Sequence, residues 1–571
     1  MPPSRKTAPG KVGAKLKMTA SELRSLLENP PPRGKRGASP RSAEKEPTRT
    51  PSRAHKGASE RPQPLSTTQP APRTTPRTED FRPPALPSAL ASTLPSTLPS
   101  TMGSLQPPGG LFSALVPVVV SVYERCMDGW EPQDKFLADA LATQGLSRAS
   151  RGVVVKTLQG MTRLHGQLLG GLGRLLEPDV QVDEPAERLS TLALNLRARL
   201  VTAAWARCVE HKSSHDAASL VGLQEPRILA ALDKLPQVLH EGERVLQRAL
   251  EGIIPLDVSR AAEALSLPTW LTTLWAEQLG WPTTVKLGRS LLEAPPLTLR
   301  VNPHRIHREQ ALELLAHRHG VEATRTPYSP FGLILPARIP LDDLSLYRDG
   351  LVEVQDEGSQ LAALASAAAP GLKVLDLCTG AGGKILLIGS LQRLNGTPGE
   401  TFACDPHPGR LRELRRRLSR AGLTHVQVRQ SDALDPHALT DLRGRMDRVL
   451  VDAPCSGLGA LRRNPEARWR LKPSDLARFA PLQEKLLEKA AQLVRPGGRV
   501  LYVTCTLNRS ENEGVLERII QQGLLRPAPL CQALGRLSTT LNLDPEQNRL
   551  TLFPHLHSTD GFFLGLLERP R

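Results

Sequence analysis

From Leu351 onward the chain alternates continuously apolar runs with segments whose apolar residues recur at three and four spacing. The runs are KVLDLC, TFACD, VQVRQSD, RVLVDAP, RVLYVTC and FFLGLLER; helical patterns such as RLRELRRRLSRAG, LARFAPLQEKLLEKAAQLV and ENEGVLERIIQQG lie among them. Strands apolar on both faces and separated by helices predict an α/β, Rossmann-like, doubly wound and mostly parallel sheet over 351–571. Ligands of such sheets sit at the carboxyl ends of the strands. From Leu111 to about Leu265 the period is helical throughout, as in FLADALATQGL, VVVKTLQGMTRLHGQLLGGLGRLL and RLSTLALNLRARLVTAAWARCVEH, which predicts an all-α domain over 109–265. Residues 266–350 read as a connector with a small α/β lobe. It has a helix in TWLTTLWAEQLG closed by Gly280 and Pro282, a strand in PLTLRVN, a helix in REQALELLAHRHG and a strand in FGLILPA.

Residues 1–108 show no such period. They hold 21 of the 52 prolines among Ser, Thr, Arg and Lys, with an STLP repeat at Ser92–Thr101. A segment of this kind buries too little apolar surface to offset its ordering entropy, so a disordered tail is expected. One short helix is expected inside it, in KMTASELRSLLEN, capped by Thr19 or Ser21.

Charge changes the picture less than its total suggests. The net +17 over 571 residues points to an acidic partner such as nucleic acid. Residues 1–100, however, carry 18 Lys+Arg against 7 Asp+Glu, so +11 of it sits in the tail. Aromatics are only 3%, which disfavours a stacking platform for single strands. The seven cysteines are odd in number, widely spread and free of CxxC or Cys/His ligand spacing, so neither a zinc site nor a disulfide framework is expected. The longest apolar run, LFSALVPVVVSVY, is broken by Pro117 and falls short of the ~20 residues of a membrane span. No signal-peptide core opens the chain. A cytoplasmic, monomeric protein without metal or membrane is the expectation.

The first chemical motif follows strand KVLDLC, where Cys378, Thr379, Gly380, Ala381, Gly382, Gly383 and Lys384 lead into a helix. Glycines there let backbone N–H groups approach a ligand closely at a helix start. A lone GxGG also occurs in dinucleotide-binding folds, but three more strands end in acids. Asp405 follows 21 residues after Lys384, at the post that grips ribose hydroxyls; Asp432 suits an adenine amino group; Asp452 stands before Ala453-Pro454-Cys455. Carboxylates after three successive strands fit S-adenosylmethionine, which is cationic at sulfur and has no phosphates to repel them. Lys384, a cation at a helix start, is expected to pair with the donor's carboxylate.

The second motif is a pair of thiols, Cys455 and Cys505, at the ends of two strands. Methylating carbon 5 of a pyrimidine needs a temporary nucleophile at carbon 6, and a thiolate supplies one. Asp452 is placed to serve at the ring nitrogen. On chemistry alone either sulfur can attack. Cys126, Cys208, Cys404 and Cys531 read as packing residues. Arg462, Arg463 and Arg468, just after Cys455, are candidates for holding nucleic-acid phosphates.

LDLCTGAGGK, VLVDAPCSGLGALRRNPEARW and VTCTLNRSENE, with LRVNPHR, VQDEGSQLAA and HSTDGFFLGLLER, resemble the signature segments of the RsmB/NOP/Sun family of RNA cytosine-5 methyltransferases. The resemblance implies that Cys505 is the attacking nucleophile and that Cys455 assists release. It also implies that Cys378–Lys384, Asp405, Asp432 and Asp452 line an S-adenosylmethionine site, with RNA, in particular 16S rRNA, as substrate. The helical segment is similar to the NusB-like RNA-binding domain of RsmB-type members. Two positions depart from the family pattern. Ala381, preceded by Gly380, replaces the loop proline, and Thr506 follows Cys505 where serine is usual. Threonine keeps the hydroxyl, so activity is expected to survive. The alternative is an RNA-binding ribosome-assembly factor with reduced or lost catalysis. A dinucleotide oxidoreductase leaves the paired thiols unexplained.

Overall fold

The computed structural model describes residues 109–571, apart from 131–136, 138–140, 142–144, 180–183, 185–186, 188, 191, 338 and 395. The expected tail over 1–108 and its short helix lie outside the described residues.

The described residues begin with helices α1 (Gly109–Met127), α2 (Arg148–Leu176), α3 (Leu194–Cys208), α4 (Ser214–Ser219), α5 (Pro226–Leu250) and α6 (Val258–Ala264). Pro117 does not end α1; it lies on the exposed side, where water can take the carbonyl it leaves free. The centre of this layer is α2, capped by Ser147, whose hydroxyl accepts the Ser150 N–H at 3.1 Å. Leu158, Met161, Leu168, Leu169 and Leu172 of α2 are fully buried. Gly160 lets the Trp205 ring of α3 lie directly on the α2 backbone, where a Cβ would overlap it.

Helix α7 (Thr269–Leu279) forms as expected, but Gly280 and Pro282 do not lead straight to a strand. A further helix, α8 (Trp281–Leu292), follows without a loop. Gly280, at φ 78°, closes α7 and opens α8, and Pro282 falls in the first turn, where its missing N–H costs nothing.

The small lobe is a four-stranded antiparallel sheet in the order β2-β3-β1-β4, from β1 (Leu297–Val301), β2 (Thr324–Arg325), β3 (Gly332–Leu335) and β4 (Val352–Val354). Helix α9 (Arg308–His319) intervenes between β1 and β2 and ends at Gly320, at φ 63°. The fourth strand, β4, comes from beyond residue 350, so the lobe borrows from the segment that follows it.

The large sheet runs β10-β12-β9-β8-β5-β6-β7, with β11 added on β12. Its parallel part comprises β5 (Val374–Asp376), β6 (Thr401–Asp405), β7 (Val426–Gln430), β8 (Met446–Asp452) and β9 (Val494–Thr504). β12 (Phe562–Glu568) pairs antiparallel with β9, Phe563 opposite Thr504, and β10 (Arg526–Pro527) and β11 (Arg549–Leu552) pair antiparallel with β12. Alternate residues feed two separate cores. Val374, Leu450, Leu501 and Val503 pack on one face, and Leu375, Val449, Val451, Val500 and Tyr502 on the other. Helices α10 (Glu357–Ala365), α11 (Gly383–Gln392) and α12 (Pro408–Ala421) cover the first face, α13 (Phe479–Leu493) and α14 (Glu513–Gln521) the second. The doubly wound, mostly parallel sheet expected from the apolar runs is therefore present. The strand order reverses between β5 and β8, and the glycine loop and both thiols follow β5, β8 and β9 at that crevice.

Candidate active site

Strand β5 carries three buried residues and ends at Asp376, from which the loop 377–382 turns into α11. Two glycines in positive φ make the turn, Gly380 at 55° and Gly382 at 92°. At Gly382 a Cβ would overlap Leu414 of α12, whereas at Gly380 it would meet nothing. The loop is tied at several points. Thr379 N–H donates to Cys404 O at 2.8 Å and Gly380 N–H to Asp405 Oδ2 at 3.1 Å. Arg417 donates to Ala381 O at 2.7 Å, and the fully buried Arg300 of β1 donates to Gly383 O at 3.2 Å. Arg300 also holds Gln355 and Asn302, so LRVNPHR and VQDEGSQLAA brace the loop from behind.

The acids divide. Asp405 is buried and spends its oxygens on the Gly380 N–H, the His407 N–H and the His407 ring. Asp432 is exposed and takes the Leu434 N–H at 2.9 Å, a turn that suits aspartate. Asp452, at the end of β8, accepts from Lys384 Nζ at 2.6 Å. The structure thus gives Lys384 a partner within the protein that the sequence did not signal. The ammonium is buried within the protein, close enough to Asp452 to be neutralised there, and it also lies 5.2 Å over the Phe562 ring. Burial alone would lower the Lys384 pKa; Asp452, by charge and hydrogen bond, then Cys505 and Asp376, outweigh it and raise it.

Asp376 joins this group, although only its place inside the apolar run KVLDLC signals it. Burial first, then the Asp452 charge, pushes its carboxyl up to about 7. Its Oδ1 and the Thr379 hydroxyl are buried without a well-aligned partner among the described residues. Buried polar atoms beneath a glycine loop and three strand-end carboxylates fit a cationic nucleoside such as S-adenosylmethionine.

Cys455 and Cys505 emerge from adjacent parallel strands, and their sulfurs are 3.4 Å apart, hydrogen-bonded and not bridged. The bond with Cys505, then burial, pushes the Cys455 thiol well up. The next residues are also joined, Ser456 Oγ to Thr506 Oγ1 at 2.7 Å, so the threonine in place of serine keeps a working hydroxyl. Cys378 and Cys404 are pushed up by burial, Cys404 to about 12, and Cys126 packs in the helical core.

The three arginines expected on RNA phosphates are turned inward. Arg468 is fully buried and donates to the carbonyls of Ser266, Leu291 and Leu461. Arg462 is buried against Ala294 O, and Arg463 bridges Asp356 and Asp560. Backbone carbonyls hold the buried Arg462 and Arg468, and two carboxylates occupy the half-buried Arg463, so all three guanidinium groups are already engaged within the protein, against the phosphate reading. Among the described residues no group of His, Cys, Asp or Glu has metal-ligand geometry, and no helix is long and apolar enough to cross a membrane.

The 16S rRNA methyltransferase RsmB/F family matches residues 363–568, and the ferredoxin-like domain of the RsmF/B-like methyltransferases matches 267–342. The probable ribosomal RNA small subunit methyltransferase B of Synechocystis is 33% identical over 345 residues, covering 59% of this chain and 75% of the relative. Its counterpart from Bacillus subtilis is also 33% identical, over 57% of this chain and 72% of the relative. The crystal structure of PH0851 shares the fold, with a TM-score of 0.61 and 24% identity over 81% of this chain and 100% of that one. With a relative above 30% identity aligned over three quarters of its length, the chain belongs to the RsmB/NOP/Sun family of methyltransferases, which take S-adenosylmethionine as methyl donor.

Proposed function

We propose that this protein methylates carbon 5 of a cytosine in RNA, in particular 16S rRNA, through a covalent adduct at Cys505. One observation carries the reading: two thiols 3.4 Å apart, one beside a buried Lys384 paired with the half-buried Asp452. The relatives' names supply the substrate class. The NusB-like character of the helical segment belongs to the same reading and provides a second RNA contact. When bound, S-adenosylmethionine supplies an electrophilic methyl group; Gly380–Gly383, Asp405, Asp432 and Asp376 are the residues that hold it.

The chain's own residues act on the base. The Cys505 thiolate forms a bond to carbon 6, and the electron pair of the 5,6 double bond makes carbon 5 nucleophilic. Asp452, expected at the ring nitrogen, is engaged by Lys384 and in this reading accepts from the neighbouring amino group of the ring instead. After methylation a solvent water accepts the carbon-5 proton, the 5,6 double bond reforms and the carbon–sulfur bond breaks with its electron pair returning to the Cys505 sulfur. Lys384 offers its cation to the sulfur whenever it carries charge, and the Cys455 S–H donates to it on leaving. The base has to leave its stack to reach the thiol, so an unpaired cytosine is the expected target.

The test is incubation of full-length protein with labelled methyl donor and 16S rRNA, with 5-methylcytosine read by nucleoside analysis. Cys505→Ala is expected to lose transfer altogether. Cys455→Ala is expected to attack but release slowly, leaving an RNA–protein adduct on a denaturing gel. Full activity of Cys505→Ala would sink the assignment.

A further inference from the structure

Behind the two thiols lies a buried polar network that the motif reading leaves unused. Its centre is Glu511, fully buried in the loop between β9 and α14. Glu511 Oε2 accepts from the Ser456 backbone N–H at 2.9 Å and from Gln483 Nε2 at 3.1 Å; Oε1 accepts from Asn508 Nδ2 at 3.1 Å. Gln483 also reaches Pro454 O at 3.0 Å, so the amide holds the residue before Cys455 while the carboxylate holds the residue after it. The Tyr502 hydroxyl donates to Glu511 O at 2.6 Å, and Asn512 joins the Thr504 hydroxyl to Thr506 O, which ties the same carboxylate segment to the strand carrying Cys505. The Ser456–Thr506 hydroxyl bond closes the ring between the two loops.

Every partner of the Glu511 carboxylate is a donor, so only an acceptor-only group satisfies the set. Burying a carboxylate is costly, and burying one that merely packs would be costlier than an apolar residue. We infer that Glu511 is a positioning residue of the methyl transfer. Its carboxylate locks the Cys455 loop to the Cys505 strand at the sulfur–sulfur distance that lets Cys455 serve the leaving thiolate. The inference rests on the proposed function. It adds to that function a residue that touches neither substrate nor donor and acts through Cys455. The negative charge of Glu511 also contributes to holding Cys455 in its protonated, donating form.

The experiment compares full-length wild type, Glu511→Gln, Thr506→Val, Thr506→Ser and Cys505→Ala on 16S rRNA with labelled donor, measuring kcat, both KM values and trapped adduct. Glu511→Gln keeps the volume but turns an amide NH2 toward one set of donors. A displacement of about 1 Å at a reacting group costs about 10²-fold in rate. The expected result is therefore a fall of about that size in kcat, KM values within about twofold of wild type, and accumulated RNA adduct. Should Glu511→Gln fail to fold, Thr506→Val answers instead. It removes one hydroxyl of the same ring and is expected to lower kcat and accumulate adduct, with Thr506→Ser restored to wild-type behaviour. Wild-type kcat and no adduct in Glu511→Gln, or in Thr506→Val where the first does not fold, overturns the positioning role. Activity in Cys505→Ala overturns the underlying reading instead, so the two failures are separable.

Discussion

Lys384 and Asp376 show how a single side chain's partner decides what it can do. A lysine at a helix start invites an anion, and the bound donor's carboxylate was the natural expectation. The actual partner is Asp452, one strand away and 68 residues later, a distance in sequence that no local pattern reports. Lys384→Met is therefore expected to lower kcat by about 10²–10³-fold, the scale of losing one preorganised electrostatic contact. The donor dissociation constant, measured by calorimetry, should move little; a large donor-binding loss with kcat intact would return Lys384 to the donor. Asp376 makes a pH prediction. Its folded value of about 7 lies above the ordinary carboxylate value, so the native state retains a proton that the unfolded chain has lost. That contribution to stability is fully present in acid and is lost as pH rises toward about 7. A cation bound beside Asp376 favours its ionised form. Affinity for cationic S-adenosylmethionine should accordingly rise as pH climbs through about 7, and affinity for neutral S-adenosylhomocysteine should rise less. Parallel pH profiles for the two ligands would refute a place for Asp376 in the donor site.

At the scale of elements, the glycine loop is where backbone conformation and packing separate. Gly380 and Gly382 both have positive φ, so alanine at either pays the left-handed penalty of about 1–2 kcal/mol. Only at Gly382 would the added methyl also strike a neighbour, Leu414 of α12. Gly382→Ala is thus expected to weaken donor binding by more than tenfold relative to Gly380→Ala, read by calorimetry; equal losses would mean that the loop moves freely against α12. The sequence made this loop visible because glycine spacing after an apolar strand is a local signal. The alternating sheet was visible for the same reason, with Leu375 and Val374 feeding opposite faces of one strand. Helix α8 was hidden because Gly280 and Pro282 are read as a stop, although the same pair can end one helix and start the next. The Glu511 network was hidden too, since its bonds run from β9's loop to residues 28 and 55 positions away.

Over the whole molecule, the helical layer and the methyl-transfer sheet meet across the segment that follows Cys455. Arg468 and Trp469 lie at that junction. Arg468 gives its guanidinium to carbonyls of Ser266, Leu291 and Leu461, and Trp469 Nε1 donates to Thr162 O of α2, its ring against Gly166. A basic stretch after the catalytic loop reads from sequence as a phosphate contact, because charge is visible there and carbonyl rims are not. The two readings predict opposite behaviour for Arg468→Met, which keeps much of the stem and removes the head. A phosphate contact would leave stability unchanged, weaken RNA binding, and reduce the salt dependence of that binding by about one counterion. A buried strut would leave three carbonyls without donors, at about 1–3 kcal/mol for each one water cannot reach. The structure favours the strut. Urea denaturation of Arg468→Met should show a loss of at least about 3 kcal/mol, while the slope of RNA affinity against salt stays at the wild-type value. A reduced slope with an unchanged midpoint would put Arg468 back on the RNA.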